Sequence, residues 1–402
     1  MESIVLIEHE ALPILPERSK GQKALSIEHA DALGRLEKKL PSQTFTWGNR
    51  SVKFAQYCGV ISLGNLTLEI LPKIYGKETE PGECRKALVK MLVKAKKIKP
   101  QRGGCASIAL QKHALLDIFI LNFCELLHGE LMQGMIQHYI ERNENLNILR
   151  GRLRTEKQFK YNLTHKERLY CQYDELRINN PHNQVIKFVL KLMMRLPAGA
   201  MAKKQLAELL MRFDAVSDVD ATLQIIDGLT FNRVTCRYEP IFEQCRWFLQ
   251  GLYPDVFAGQ ESCISLLFDM NRLFESYVAG VMRKEAWKEE QRLLESGCQK
   301  FMVLRNDRNE PLFLMKPDMV FLDRSDRIIR IADAKWKMLD DREKKLGISQ
   351  ADLYQMASYS MRYGIEQLVL VYPKQQWLKD KIDLQLQGKT ATIQVIPIDV
   401  MA

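Results

Sequence analysis

The chain has 402 residues, of which 46% are hydrophobic and 27% are charged, a composition typical of a globular protein with room for two or three domains. Lysine and arginine outnumber aspartate and glutamate by 59 to 49, and the formal charge of +10 favours polyanionic partners without requiring them. The nine cysteines are scattered and form no C-x-x-C pair, which argues against a zinc ribbon and for reduced thiols in a cytoplasm. No signal-peptide pattern opens the chain, and the apolar segment 114–127 is too short to span a membrane.

The first part of the chain is predicted to be rich in β-structure. A short strand is expected over Ser3–Ile7, an amphipathic helix over Ile27–Leu40, and a run of strands over Phe54–Ile74. The last run alternates as a hairpin with its turn at Gly64-Asn65. These features define a β-rich N-terminal region over residues 1–104, which ends in a linker at 101–104.

The next part, residues 105–250, is predicted to be mainly helical. No G-x-x-x-x-G-K-S/T motif occurs anywhere, so the chain encodes no P-loop nucleotide-driven motor. The expected helices cover residues 109–133, 183–196, 202–216 and 240–252.

Two basic segments precede the C-terminal part. The segment 83–97 is interpreted as the solvated face of a helix rather than a nucleic-acid contact. In the segment from Leu149 to Tyr161, the aromatic residues Phe159 and Tyr161 alternate with basic ones. Such aromatics stack on exposed bases or pack inside the protein, and the sequence leaves both alternatives open.

Residues 251–402 are predicted to form a compact α/β unit. A helix over 268–283 is followed by a hairpin over 313–336, a helix over 350–362 and a strand over 367–371. The hairpin has apolar strands and a polar turn at 323–326. Near-continuous apolar strands of this kind are typical of a sheet that is covered on both faces.

Three charged residues lie at the end of this hairpin. Asp318 opens its first strand and Asp333 closes the second, so folding brings the two carboxylates close together. Lys335 lies two positions after Asp333 and points to the same side. Two carboxylates form an oxygen site for Mg²⁺, and a neighbouring lysine can stabilise phosphate charge or polarise water. A solvated hairpin end is the alternative.

The order of these elements, with Pro317 before Asp318 and with Asp333-Ala334-Lys335, resembles the PD-(D/E)xK nuclease superfamily, which has the restriction-endonuclease fold. Glu275 matches the glutamate of the first helix in that fold. Gln355 and Tyr359 resemble the Q-x-x-x-Y helix motif of the RecB- and Cas4-like branch. The resemblance implies that Asp318, Asp333 and the main-chain carbonyl of Ala334 bind Mg²⁺, and that Glu275 assists. Lys335 would act on water and phosphate, with Gln355 and Tyr359 as supporting contacts; for Tyr359, packing on the sheet is an alternative.

The chain as a whole resembles the McrC family, the nuclease subunits of McrBC modification-dependent restriction systems. The resemblance implies a Mg²⁺-dependent endonuclease that cuts double-stranded DNA. It also implies a partner, a McrB-like AAA+ GTPase ring. GTP would bind only to that ring, and this chain would stimulate its GTP hydrolysis. The N-terminal region of this chain would dock on the ring. The landmarks are Gly59–Ile61 through Ile70–Ile74, Leu149–Leu153, Tyr173–Leu176 with Asn180–Asn183, and Met270–Glu275.

The expected fold class is therefore α/β, or α+β overall. A C-terminal PD-(D/E)xK core follows a β-rich N-terminal subdomain and a helical region. One alternative function is a stand-alone RecB- or Cas4-like DNA nuclease, which would cut without a ring partner. The other is a non-catalytic regulator of a GTPase ring, and the presence of Asp318, Asp333 and Lys335 counts against it.

Overall fold

The computed structural model describes residues 2–95, 114–253, 263–295, 301–305, 310–340, 342–343, 345–386 and 391–401. The predicted linker at 101–104 and the first residues of the predicted helix 109–133 lie outside these ranges. The chain divides into two compact units. Unit 1 combines Met1–Leu115 with Asp255–Ala402, and unit 2 is Leu116–Pro254.

The N-terminal part of unit 1 contains seven strands and two helices among its described residues. They are β1 (Glu2–Ile7), β2 (Ala11–Leu15), β3 (Leu25–Ser26), α1 (Ile27–Glu37), β4 (Phe45–Gly48), β5 (Ser51–Phe54), β6 (Tyr57–Leu63), β7 (Leu66–Leu71) and α2 (Pro81–Lys94). Strands β6 and β7 form the predicted hairpin, with Leu63 paired to Leu66 across the two-residue turn. Gly64 has φ +59°, a left-handed conformation that glycine adopts without steric cost. The predicted hairpin with this turn is confirmed.

At one basic residue of α2, the structure contradicts the interpretation of the segment 83–97 as a solvated helix face. Arg85 is only 8% exposed. Its Nε lies 2.5 Å from Oε1 of Glu69, a buried residue of β7. Arg85 therefore stabilises the packing of α2 on the sheet.

Unit 2 contains the predicted helices together with a small sheet that the sequence did not reveal. Its described elements are α3 (Leu115–Leu131), β8 (His138–Leu146), β9 (Arg152–Leu153), α4 (Thr155–Tyr161), β10 (Leu169–Arg177), α5 (Pro181–Arg195), α6 (Ala200–Arg212), α7 (Leu223–Asp227), a 3-10 turn at Cys236–Tyr238, α8 (Glu239–Gln250) and β11 (Leu252–Tyr253). The sheet has the order β8-β10-β9, and β8 pairs with β10 over nine residues. Strand β8 has the sequence HYIERNENL. Because most of these residues are polar, the strand lacks the alternation of apolar and polar residues by which a strand is predicted.

Both aromatics of the second basic segment are exposed, Phe159 to 70% and Tyr161 to 53%. The ring of Tyr161 also stacks on Tyr170, with 5.6 Å between the ring centroids. The alternatives of base stacking and packing therefore stay open for both residues.

The C-terminal part of unit 1 is built on a six-stranded sheet with the order β13-β16-β17-β18-β20-β19. Its described elements are β12 (Cys263–Asp269), α9 (Met270–Lys288), β13 (Arg292–Glu295), β14 (Phe301–Arg305), β15 (Pro311–Met315), β16 (Met319–Leu322), β17 (Ile328–Ala334), α10 (Gln350–Tyr363), β18 (Gln367–Pro373), β19 (Ile382–Gln385) and β20 (Thr392–Ile398). Strands β16 and β17 are antiparallel, whereas β17, β18 and β20 are parallel. Helix α10 forms the crossover between the parallel strands β17 and β18, as a β-α-β connection requires. The predicted order of helix, hairpin, helix and strand is confirmed. The predicted start of the hairpin at residue 313 is wrong, because residues 313–315 belong to β15, which pairs with β14 in a separate sheet.

Strand β12 belongs to a different sheet, which has β1-β7-β6-β12 as consecutive strands. It pairs antiparallel with β6, and at this contact Gly59 has φ +146°. A Cβ atom on Gly59 would lie 1.9 Å from the backbone oxygen of Leu266, so glycine is required. The N-terminal strands and the start of the predicted nuclease region therefore share a sheet. The functional division at residues 104 and 250 stays a prediction.

The fold is mixed α/β, with sheets of mixed strand direction and separate helices, and it is consistent with the expected α+β class. Within the described ranges, every helix is too short or too polar to serve as a membrane span.

Candidate active site

The hairpin of β16 and β17 places Asp318 opposite Asp333. In its antiparallel register Met319 pairs with Ala332, and the next pair outward is Asp318 with Asp333. The carboxylate of Asp318 accepts a hydrogen bond from the backbone N–H of Ala334, with 2.9 Å between Oδ2 and N. This bond fixes the side chain of Asp318 against the end of β17. All four residues of β16 and the last four of β17 are buried, so both carboxylates belong to a largely dehydrated sheet end.

Burial, together with nearby negative charge, raises the pKa of both acids. Asp333 is 1% exposed, and burial raises its pKa although the nearby Lys335 ammonium and the Asp318 backbone N–H lower it. Burial, followed by the charges of Asp333 and Glu275, raises the pKa of Asp318. Neither side-chain oxygen of Asp333 receives a hydrogen bond of regular geometry from the described residues. The site therefore holds two acids whose ionised forms a bound cation would stabilise.

Lys335 supplies one such positive charge. Its Nζ forms an ion pair with Oδ2 of Asp333 and donates a 3.1 Å hydrogen bond to Oε1 of Gln355. Burial acts to lower the pKa of Lys335, but the surrounding carboxylates outweigh it and raise the pKa. Lys335 is therefore an ammonium ion at neutral pH, held between the hairpin and α10.

Helix α10 orients the supporting residues. It begins after Ser349, whose hydroxyl accepts a hydrogen bond from the backbone N–H of Asp352. Gln355 and Tyr359 lie four positions apart on one face, and Nε2 of Gln355 donates to the Tyr359 hydroxyl at 2.8 Å. Tyr359 is 2% exposed and belongs to the hydrophobic core of the sheet. It thus packs on the sheet, as the alternative predicted, and also anchors the glutamine that contacts Lys335.

Glu275 comes from α9, which begins at Met270 after the capping carboxylate of Asp269. It is half-buried and close enough for its charge to raise the pKa of Asp318. The structure thus brings together Asp318, Asp333, Lys335, Gln355 and Tyr359, with Glu275 nearby. Their predicted roles stay predictions.

The sequence did not point to Asp352. Its Oδ1 lies 3.9 Å from Nζ of Lys335, and its Oδ2 is 3.5 Å from the Tyr372 hydroxyl. An acid in the first turn of a helix is usually explained by its favourable interaction with the helix dipole. That explanation gave no reason to expect that Asp352 lies near Lys335.

Glu8 and Trp336 were also missed. The indole N–H of Trp336 donates to Oε2 of Glu8 at 2.9 Å, although the two residues are 328 positions apart. Only the tertiary fold reveals a contact of this separation. The position of Trp336 directly after Lys335 was the one local signal.

The residues of the site are suited to Mg²⁺, but they do not supply a full set of ligands for the ion. Among the described residues, no three His, Cys, Asp or Glu side chains form a cluster that could hold a metal ion. Mg²⁺ typically uses one or two carboxylates and keeps several waters or substrate phosphate oxygens. The poorly satisfied carboxylate of Asp333, facing Asp318, meets that requirement. The Ala334 carbonyl stays a predicted further ligand.

Solved structures that are similar to the chain include two assemblies. One is a half-complex from a tetradecameric assembly of Thermococcus gammatolerans McrB AAA+ hexamers with bound McrC, with TM-score 0.75, 20% identity, and coverage of 99% of this chain and 94% of that chain. The other is the Thermococcus gammatolerans McrBC complex, with TM-score 0.57, 22% identity, and coverage of 70% and 87%. At these identities the likeness shows the fold. No curated protein sequence matches the chain.

One family profile matches residues 52–373, which span most of the chain and contain every predicted site residue. Its description is McrBC 5-methylcytosine restriction system component. This match confirms the resemblance seen in the sequence at the level of the family. The chain belongs to the McrBC family of 5-methylcytosine restriction system components.

Proposed function

We propose that this chain is the DNA-cleaving subunit of a modification-dependent restriction complex, with a PD-(D/E)xK nuclease core in residues 251–402. The observation that carries the proposal is the placement of Asp318 opposite Asp333, with the Lys335 ammonium in contact with Asp333. Acids with raised pKa values beside a fixed cation are typical of a catalytic site rather than of a solvated hairpin end.

Each site residue has a role in phosphodiester hydrolysis. Bound Mg²⁺ would supply Lewis acidity and an activated water. Asp318, Asp333 and the carbonyl of Ala334 would hold it, and Glu275 would bind a second ion or a water. The ammonium of Lys335 would offset the charge that develops on the phosphate. Its hydrogen bond to Gln355, which Tyr359 anchors in turn, keeps the ammonium in place.

We further propose that the chain works with a McrB-like AAA+ GTPase ring and stimulates its GTP hydrolysis. Support comes from the family membership and from the similarity to the structure of Thermococcus gammatolerans McrB AAA+ hexamers with bound McrC. The GTP would bind to the ring, since this chain contains no P-loop motif. Double-stranded DNA is the proposed substrate, and the cytoplasm the proposed location.

The test is a cleavage assay on methylated and unmethylated duplex DNA with Mg²⁺, with and without the GTPase partner and GTP. We expect cutting of methylated DNA in the complete mixture alone. Vigorous cutting by the isolated chain would instead support the stand-alone nuclease.

A pair of variants separates cleavage from regulation. Asp333→Ala should abolish cleavage and leave the stimulation of GTP hydrolysis intact. Asp383→Asn is the control, because Asp383 is an exposed residue of β19 in the same sheet. If Asp333→Ala cleaves like the wild type, the nuclease proposal is wrong and a regulator of the ring becomes the better interpretation.

A further inference from the structure

A buried acid lies at the end of the first strand. Glu8 directly follows β1, and its backbone N–H donates to the carbonyl of Leu71 at 2.8 Å. The residue is 3% exposed. Its Oε2 accepts the indole N–H of Trp336 at 2.9 Å and, more weakly, the backbone N–H of Lys73 at 3.4 Å. The N-terminal sheet thus reaches the segment that carries Lys335.

The indole of Trp336 connects two elements of the candidate active site. Trp336 is the residue after Lys335. Its ring lies 5.3 Å from the ring of Phe274, with 58° between their planes, and Phe274 is the residue before Glu275. One side chain therefore contacts the neighbours of two predicted site residues. The carboxylate of Glu8 holds that side chain by its N–H.

A second connection runs through the backbone. Strand β12 pairs with β6 of the N-terminal sheet from Ile264 to Asp269, and α9 begins at the next residue. The backbone N–H of Met270 also donates to the carbonyl of Gln56 at 2.9 Å. The same sheet that carries Glu8 thus fixes the start of the helix that carries Glu275.

We infer that Glu8 is a positioning residue for the cleavage site: through the Trp336 indole it holds the Lys335 segment against the Glu275 helix. This inference rests on the proposed function and extends it, because it gives the N-terminal sheet a part in cleavage besides the predicted docking on the GTPase. Catalytic geometry is sensitive to such support, since a shift of about 1 Å costs roughly 100-fold in rate.

The surroundings of Glu8 support a role beyond packing. Burial raises its pKa to about 7, although the Trp336 and Lys73 hydrogen bonds and the Lys73 charge lower it. Other groups near it are Asp269, whose charge raises the pKa, the buried thiol of Cys58, and the exposed His9, whose Nε2 lies 3.5 Å from Oε1. A buried carboxylate is an unfavourable choice for packing alone.

The test compares Glu8→Ala, Glu8→Gln, Trp336→Phe and the double variant Glu8→Ala/Trp336→Phe in the full chain with its ring partner. The control is Glu37→Ala, which removes an equivalent 2.9 Å bond between the Trp47 indole and an exposed carboxylate of the same unit. We expect Glu8→Ala and Trp336→Phe each to lower kcat for DNA cleavage by roughly 10- to 100-fold with little change in KM. Glu8→Gln should restore most of the rate, because its amide oxygen can accept the same hydrogen bond.

The double variant should be no slower than the slower single variant, because both changes remove the same contact. Trp336 fluorescence gives a readout without catalysis: Glu8→Ala should shift the emission of the wild type but not of the Trp336→Phe chain. Wild-type kcat in folded Glu8→Ala, or multiplicative losses in the double variant, would overturn the inference. If Glu8→Ala does not fold, the comparison of Glu8→Gln with Trp336→Phe tests the inference instead. Equal losses of kcat in these two variants would overturn it, because only Trp336→Phe removes the hydrogen bond.

The Asp333→Ala variant keeps this test separate from that of the proposed function. If Asp333→Ala cleaves normally, the nuclease proposal fails whatever Glu8 does. If Asp333→Ala is inactive and Glu8→Ala is fully active, only the inference about Glu8 fails.

Discussion

The carboxylate of Asp318 accepts a 2.9 Å hydrogen bond from the backbone N–H of Ala334, the residue that follows Asp333. The bond ties the first strand of the hairpin to the second at the point where the two acids face each other. Each acid is therefore held beside the other even though burial raises the pKa of both and the charge of Asp333 raises that of Asp318 further. A cation between them would relieve the repulsion.

The raised pKa values predict a pH-dependent metal affinity. Because protons compete with Mg²⁺ for Asp318 and Asp333, the affinity should rise as pH increases through the raised pKa values of the pair. Mn²⁺ binding, measured by electron paramagnetic resonance between pH 5.5 and 8.5, checks this. Asp333→Asn should remove the binding, and Asp383→Asn should leave it unchanged. An affinity that stays constant over this range would contradict the prediction.

Replacing Lys335 should impair cleavage more than binding. Lys335→Met removes the ammonium that contacts Asp333, and we expect kcat to fall by about 100- to 1000-fold, the usual loss when a charge-stabilising group is removed. Lys374→Met is the matched control, because Lys374 is an exposed lysine whose Nζ lies 3.5 Å from Asp399. Cleavage rates at saturating DNA and Mg²⁺ measure the effect. Equal losses in the two variants would show that the position of the charge is unimportant.

Tyr359→Phe tests how Lys335 is held. The variant keeps the buried ring but removes the hydroxyl that accepts a hydrogen bond from Gln355, so the glutamine is less well fixed. We expect a loss of roughly tenfold in cleavage rate, equivalent to about 1.4 kcal/mol, the size of one neutral hydrogen bond. Tyr238→Phe is the control, because it also removes the hydrogen-bonded hydroxyl of a buried tyrosine, which in Tyr238 donates to the carbonyl of Gly134 in unit 2 at 2.8 Å. An unchanged rate in Tyr359→Phe would leave Tyr359 with the packing role alone.

Stability should depend on the ionisation of Glu8. Its pKa is raised from 4.5 to about 7, so the folded state holds the proton more tightly than the unfolded state does. Ionisation therefore destabilises the folded state progressively as pH rises from 4.5 to 7. Glu8→Gln should be more stable than the wild type above pH 7, by up to about 3 kcal/mol, and should lose this advantage near pH 4.5. Urea unfolding of both proteins at a series of pH values measures the difference, which would be constant with pH if Glu8 did not titrate in this range.

Gly59 and Gly76 offer a test of backbone packing. Both have positive φ angles, but a Cβ would strike the Leu266 backbone at Gly59 and would meet nothing within 4 Å at Gly76. Gly76→Ala should lower the free energy of unfolding by about 1 kcal/mol through strain alone. Gly59→Ala should lower it by roughly 2–4 kcal/mol, because β12 must also shift. Similar losses in the two variants would mean that the contact between β6 and β12 is easily adjusted.

The local pattern of the sequence was sufficient for the hairpin and for α10. Apolar runs with polar turns predicted β16 and β17, and helical spacing predicted that Gln355 and Tyr359 share a face. The same reasoning missed the sheet of β8, β9 and β10, since β8 is polar along its whole length. It also missed β13, β19 and β20, which complete the six-stranded sheet.

The site was predictable only where its residues lie close together in sequence. Asp318, Asp333 and Lys335 belong to one hairpin and its end, so strand geometry relates them. Glu8 contacts Trp336 from the other end of the chain. The periodicity of apolar residues gives no information about contacts between residues so far apart in the sequence. The partnership of β12 with β6 was hidden for the same reason.

That partnership has a consequence for synthesis on the ribosome. Ser265 of β12 pairs with Ile61 of β6, and these residues are about 200 positions apart. At 5–20 residues per second, the N-terminal strands leave the ribosome roughly 10–40 s before β12 can join them. During that interval β6 has an unpaired edge, and edges of this kind recruit foreign strands. A chain interrupted before residue 263 would keep that edge permanently, so we expect such fragments to aggregate or to bind chaperones.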